Sequence, residues 1–152
     1  MAQYFLDTSA AVKYYHVEPG TPRVTALFAE PVRKIRISSL GFLEIQSAFA
    51  MKVRSGILSY NAAGLQRSRF LLDVGAGDIE VYSLTGEHYT TAEQLIGRYS
   101  FRYRLRTLDA LQLAVAVDLF EQALLDYFVV ADQSLGDVAT LEGLSIVNPE
   151  VP

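Results

Sequence analysis

The chain contains no cysteine. A disulfide framework and a thiolate metal site are therefore both excluded, and a reducing compartment such as the cytoplasm is the expected setting. It also lacks any run of ~18 uninterrupted apolar residues, so no membrane span is expected. The longest candidate, residues 110–120, is broken by Gln112 and Asp118. The opening Met1-Ala2-Gln3-Tyr4-Phe5-Leu6-Asp7 enters a strand at once and has no basic segment of the signal-peptide kind. Histidine is scarce. His16 and His88 are the only two, and neither stands in a context that calls for proton transfer, which disfavours histidine acid–base chemistry. Repeats, linkers and low-complexity segments are absent too, so residues 1–152 read as one domain, large enough to bury a core without staples. A hydrophobic content of 51% against 20% charged residues excludes a disordered chain.

What is present is an alternation of short β-rich runs and helical stretches. Strands are predicted at residues 3–6, 35–38, 79–83, 127–131 and 145–147. Helices are predicted at 8–15, 22–29, 39–54, 59–74, 87–100, 108–124 and 134–141. Thr21 before Pro22 suits an N-cap followed by a first-turn proline, and Thr107 is placed to cap the helix that holds Asp109. Gly75-Ala76-Gly77 ends a helix before a strand. The alternation implies right-handed crossovers: an α/β fold whose mainly parallel sheet of about five strands carries helices on both faces. Two successive helices, 39–54 and 59–74, form an αα excursion expected to protrude.

Four acids carry most of the chemical information. Asp7 ends the run Tyr4-Phe5-Leu6 and Asp132 follows Phe128-Val129-Val130-Ala131. Both are thus expected just past the carboxyl ends of buried strands, where open α/β sheets bind ligands. Glu44 interrupts an apolar helix, sharing a stripe with Leu40, Ser47, Ala48 and Met51 at helical spacing. Asp109 opens another in Thr107-Leu108-Asp109-Ala110-Leu111. Each has a plain structural alternative: Asp7 as an N-cap, Asp109 as a first-turn acid favoured by the helix dipole, Asp132 as a turn residue, Glu44 as the partner of an arginine. Together, however, four carboxylates in one cleft repel unless cations neutralise them, and a divalent-metal site is the economical reading. Setting those four aside leaves 13 of the 17 acids against 13 lysines and arginines, so the net charge of −4 does not exclude a polyanionic partner.

In order and context the four acids resemble those of the PIN-domain family. The matching segments are Phe5-Leu6-Asp7-Thr8-Ser9-Ala10, Ser38-Ser39-Leu40-Gly41-Phe42-Leu43-Glu44-Ile45, Leu108-Asp109-Ala110-Leu111-Gln112-Leu113-Ala114 and Val129-Val130-Ala131-Asp132. Length and motif wording look most like a prokaryotic VapC-type toxin. That resemblance implies a metal-dependent endoribonuclease held inactive by a cognate antitoxin, and commonly a homodimer. Mg²⁺ or Mn²⁺ is the implied cofactor, with Asp7 and Asp109 anchoring it and Glu44 and Asp132 contributing directly or through water; one ion or two remains open. One departure concerns the fourth acid. Ala131 precedes it where the family often has Ser or Thr, so Thr8 or Ser134 is considered for the hydroxyl and Asp137 as an alternative acid.

For the substrate, the densest basic segment runs from Arg98 to Arg106, with Tyr99, Phe101 and Tyr103 interleaved, and leads straight into the Asp109 helix. Arg102, Arg104 and Arg106 are candidate phosphate contacts, with Thr8 beside them, while the tyrosines suit base stacking. The competing reading is a solvated loop with Phe101 and Leu105 packed inward. Lys52 and Arg54 form a weaker basic patch, and Tyr14-Tyr15 reads as packing. Two rival enzymes with similar folds fit poorly. A phosphoryl receiver wants an acid pair at the first strand's exit, and a dehalogenase-like phosphatase wants an acid where Ser9 stands. A non-catalytic PIN-like module that binds RNA or protein is the alternative from another class.

Overall fold

A computed structural model describes residues 1–152. Five parallel strands, β1 (Ala2–Leu6), β2 (Arg33–Ser38), β3 (Glu80–Tyr82), β4 (Tyr127–Val129) and β5 (Ile146–Val147), form one sheet in the order β3-β2-β1-β4-β5. The chain therefore begins at the centre, builds outward through β2 and β3, then returns to the other side of β1. Strand order reverses between β1 and β4, and the carboxyl edge at that reversal is where such sheets open a crevice. Pairing there runs one residue past the strands, since the Asp7 amide donates to the Val129 carbonyl at 3.0 Å.

Alternation along the strands explains the two cores. Tyr4 and Leu6 point into one, with Ile35, Ile37 and Val129; Phe5 points into the other, with Phe128 and Val130. The first is covered by α1 (Thr8–Tyr15), α2 (Thr21–Ala29), α3 (Ser39–Arg54) and α4 (Tyr60–Ala76). The second is covered by α5 (Gly86–Tyr99), α6 (Thr107–Glu121) and α7 (Gln133–Leu141). Helix α6 is apolar nearly all round, and residues 110–116 are all buried, as expected of a helix wedged between the sheet and its neighbours. The predicted excursion of α3 and α4 does not stand free: α4 packs back on α1 and α3. Phe70 of α4 is fully buried against Tyr15 and Phe42, while Tyr60, Leu65 and Leu72 stay exposed. Tyr14 stacks on Phe28 and the Tyr15 hydroxyl donates to Asp73, so this pair packs rather than projects.

Several local expectations shift by a residue or two. Thr21 is the first residue of α2, not its cap; Gly20 takes the cap position at φ 92°, and the Thr21 hydroxyl instead ties Glu18 N–H to the Lys13 carbonyl. Thr107 likewise begins α6, and its N-cap is Arg106, whose amide donates to the Asp109 carboxylate. Gly77 does close α4 in the left-handed conformation, φ 84°. No helix is long and apolar enough to cross a membrane.

Candidate active site

All four acids reach the carboxyl edge from different elements. Asp7 follows β1 and caps α1, Glu44 lies in the second turn of α3, Asp109 in the first turn of α6, and Asp132 follows β4 and caps α7. They line one cleft of about 200 Å³ together with Thr8, Ser9, Gln112, Arg106 and Leu108. The capping role named as the plain alternative for Asp7 thus holds, and Asp132, expected as a turn residue, is a cap as well; capping is what directs both of them here. The amino-terminal dipoles of α1, α6 and α7 offset part of the carboxylates' mutual repulsion.

Asp7 is the deepest of the four, 7% exposed. Burial pushes its pKa up; hydrogen bonds from Ser9 lower it, and the charges of Glu44 and Asp109 raise it again, leaving it at about 6. Its Oδ2 accepts from Ser9 N at 3.2 Å and Ser9 Oγ at 2.6 Å, whereas Oδ1 accepts nothing from the chain. Glu44 follows the same pattern. Oε1 accepts from Thr8 Oγ1 and Gln112 Nε2, both at 3.0 Å, and Oε2 is left over. Asp109 takes Arg106 N and Nε on Oδ2, each at 3.2 Å, leaving Oδ1. Asp132 alone uses both oxygens, Oδ1 for Leu135 N and Oδ2 for Arg104 Nη2 at 2.8 Å.

The arginines matter to the fit of a metal. As the side chains stand, no three acids or histidines are grouped around a point that would hold an ion. Arg106 and Arg104 occupy Asp109 and Asp132 in ion pairs instead, and the acids hold the Arg106 guanidinium's pKa up. Both guanidiniums are about two-thirds exposed, 65% and 66%, so each pair contributes only about 0–1 kcal/mol and gives way at little cost. Hard oxygen donors, three of them with one oxygen uncommitted and one buried at raised pKa, are the chemistry that Mg²⁺ or Mn²⁺ requires. The donor set fits such an ion.

Several other residues sit differently from expectation. The stripe assigned to Glu44 is wrong in part: Met51 and Ser47 face solvent, and the buried face of α3 is Gly41, Ile45 and Phe49. Glu44 sits on the flank of that face, turned to α1 and α6. Neither Thr8 nor Ser134 serves the fourth acid; Thr8 donates to Glu44 and Ser134 Oγ to the Arg104 carbonyl. Ser9 links Ala131 N to Asp7 Oδ2 across the β1–β4 boundary. Asp137 is exposed on α7, bonded to Gln133, and does not line this cleft.

In the basic segment, Arg98 pairs with Glu142 and does not line the cleft, and Arg102 has no ion-pair partner. Tyr99 and Tyr103 pack edge to face, so they are less free to stack than expected. Phe101 reverses the inward expectation and is 91% exposed, whereas Leu105 is buried. Lys52 is tied to Glu18. His88 is buried at the start of α5, bonded to Asp118, and His16 follows α1; neither lines the cleft. A larger cavity of about 490 Å³, lined by Phe49, Val53, Tyr60 and Ala63 between α3 and α4, holds no acid or histidine.

No curated protein matches the chain at the level of sequence. Solved structures match almost end to end. VapC20 of Mycobacterium tuberculosis, a toxin that cleaves the sarcin-ricin loop, is 17% identical, with a TM-score of 0.66 over 97% of this chain and 98% of that one. VapBC2 of Rickettsia felis, bound to a DNA fragment from its promoter, is 16% identical at a TM-score of 0.64, covering 95% and 96%. FitAcB of Neisseria gonorrhoeae, also 16% identical, scores 0.62 over 96% and 97%. At such identities these likenesses establish the fold. The family model for the PIN domain matches residues 4–139, from the first strand to the last helix and across all four acids, and the chain belongs to the PIN-domain family.

Proposed function

We propose that this protein is a Mg²⁺- or Mn²⁺-dependent endoribonuclease and the toxin of a toxin–antitoxin pair. The observation that carries the reading is the meeting of Asp7, Glu44, Asp109 and Asp132 in one cleft at the sheet's switch point, with Asp7 buried at a pKa near 6. PIN domains are a nuclease family that generally works with divalent ions, and the neighbours in fold include a toxin that cleaves the sarcin-ricin loop. Asp7 Oδ1, Glu44 Oε2 and Asp109 Oδ1 are the atoms that would hold the ion, with Asp132 joining once Arg104 releases it. An ion bound there supplies a water of lowered pKa and a Lewis acid for the phosphoryl oxygen.

The chain's own residues do the rest. Arg104 and Arg106 neutralise Asp132 and Asp109, and with a cation in the cleft their exposed guanidiniums would be free to contact substrate phosphates. Arg102 extends that positive edge, and Phe101 offers an exposed ring for a base. Thr8 holds Glu44, so any contact it makes to substrate comes through the same hydroxyl. A cognate antitoxin as inhibitor, a homodimer as the assembly and the cytoplasm as the setting belong to the same reading.

The test is cleavage of total small RNA by antitoxin-free protein with Mg²⁺ or Mn²⁺, with EDTA, and with Asp7→Asn. Discrete fragments that vanish with EDTA and with the variant support the reading. Metal binding without cleavage points to a highly selective substrate. Neither activity would favour a non-catalytic RNA- or protein-binding module, for which the Arg–Asp pairs would be permanent fixtures.

A further inference from the structure

Gln112 is the one polar side chain in the apolar run of α6 and is only 1% exposed. A buried amide needs partners for its oxygen and both its hydrogens, and here each has one. Its Oε1 accepts from Ser38 Oγ at 2.7 Å; its Nε2 donates to Glu44 Oε1 at 3.0 Å and to Thr8 Oγ1 at 3.3 Å. The surroundings fix which end is which. Ser38 Oγ already accepts from Gly41 N at 2.8 Å, so its hydrogen is free to go to Gln112, and the reverse orientation would set an amide oxygen against the Glu44 carboxylate.

The network joins four elements: the end of β2 through Ser38, α3 through Gly41 and Glu44, α1 through Thr8, and α6 through Gln112. Its result is that one oxygen of Glu44 is held by two donors while the other is not engaged. Gly41 belongs to the same arrangement. A Cβ there would stand 3.2 Å from Gln112 Nε2, closer than a comfortable contact, and 3.4 Å from Ser38 Oγ, an ordinary one, so it is the amide that occupies the space a side chain would need.

We propose that Gln112 is a positioning residue of the metal site, holding Glu44 by Oε1 so that Oε2 is the ligating atom. The proposal rests on the metal reading above. Without the amide, Glu44 keeps only the Thr8 hydroxyl and its carboxylate is free to turn. Partners one shell out from a metal ligand govern affinity in this way, and their loss costs roughly 10–100-fold.

The experiment is a Mn²⁺ titration of the purified full chain, reading free Mn²⁺ by electron paramagnetic resonance. The proteins are wild type, Gln112→Met, Glu44→Gln, the double variant, Gly41→Ala and Asp7→Asn. Gln112→Met is expected to weaken Mn²⁺ binding by roughly 10–100-fold, and that loss should disappear in the Glu44→Gln background because both act through one atom. Lower thermal stability with unchanged Mn²⁺ affinity would make the amide a strut and overturn the proposal, as would an equal loss in both backgrounds. Should Gln112→Met fail to fold, Gly41→Ala decides. It displaces the amide by a few tenths of an ångström without removing a polar atom, and unchanged affinity there overturns the proposal. Weaker binding in Asp7→Asn alone would leave the metal site standing without a role for Gln112, and no binding by wild type would overturn both.

Discussion

Asp7 should cost the protein stability, and removing its charge should return it. Burial, with the charges of Glu44 and Asp109, raises its pKa from the ordinary 3.8 to about 6. That difference corresponds to about 3 kcal/mol between the protonated and ionised forms. The sign follows from proton binding: the native carboxyl holds its proton more tightly than the unfolded one. Above pH 6 it is ionised in both states and the full cost is present; as pH falls from 6 toward 4 the native group takes up its proton first and the cost fades. Asp7→Asn should therefore stabilise the metal-free protein at pH 8. About 1 kcal/mol of that gain is lost because the Ser9 bonds become bonds to a neutral amide, leaving about 2 kcal/mol. In a chain of 152 residues this is a rise of about 4–8 °C in Tm. At pH 5 about half of the cost in the wild type should already be gone, and the gain should shrink accordingly. The assay is thermal and urea unfolding in EDTA at pH 8 and pH 5, repeated with Mn²⁺. At a hundred times Kd the ion stabilises wild type by about 2.7 kcal/mol and should leave the variant nearly untouched, reversing their order. A variant no more stable than wild type at pH 8 in EDTA, or equally stabilised at both pH values, would refute the reasoning.

Four further outcomes are expected. Replacing Arg102, Arg104 and Arg106 by Ala should weaken RNA binding and reduce its log–log salt slope by about 2, at roughly 0.7 per phosphate contact for a single strand; an unchanged slope would exclude the segment as a phosphate edge. Phe101→Ala should leave Tm unchanged, since the ring is solvated, yet weaken RNA binding by about 1–3 kcal/mol in a filter-binding assay. Arg106→Gln should tighten Mn²⁺ binding by removing the cation that competes for Asp109, while weakening RNA binding; calorimetric titrations with each ligand read the two effects. Phe70→Ala should destabilise by about 3–5 kcal/mol in urea unfolding, because its fully buried ring joins α4 to α1 and α3.

Sequence and structure agree most closely where a single physical rule decides. A buried strand shows as an apolar run, so the positions after Leu6 and near Val130 could be read as sheet-edge sites, and the helices between them follow from parallel pairing. Capping was read less well. Thr21 and Thr107 look like N-caps by type, but Arg106 takes the second place because its amide is satisfied by Asp109 from within the helix. Glu44 was assigned to a buried stripe from spacing alone, whereas its surroundings are set by Thr8 and Gln112, respectively 36 and 68 residues away. Gln112 itself carried a usable signal: an amide inside an otherwise apolar helix must find partners. The pairing of Arg104 with Asp132, 28 residues apart, left no local mark, since it depends on where α7 begins in space.

The most direct measurement is a crystal structure of the Mn²⁺-loaded protein with anomalous scattering collected at the manganese edge. The expected map shows a peak about 2.1 Å from Asp7 Oδ1 and from at least one of Glu44 Oε2 and Asp109 Oδ1, with Arg106 rotated away from Asp109. A peak outside this cleft, or none at saturating Mn²⁺ with both Arg–Asp pairs intact, would contradict a metal centre built from these acids.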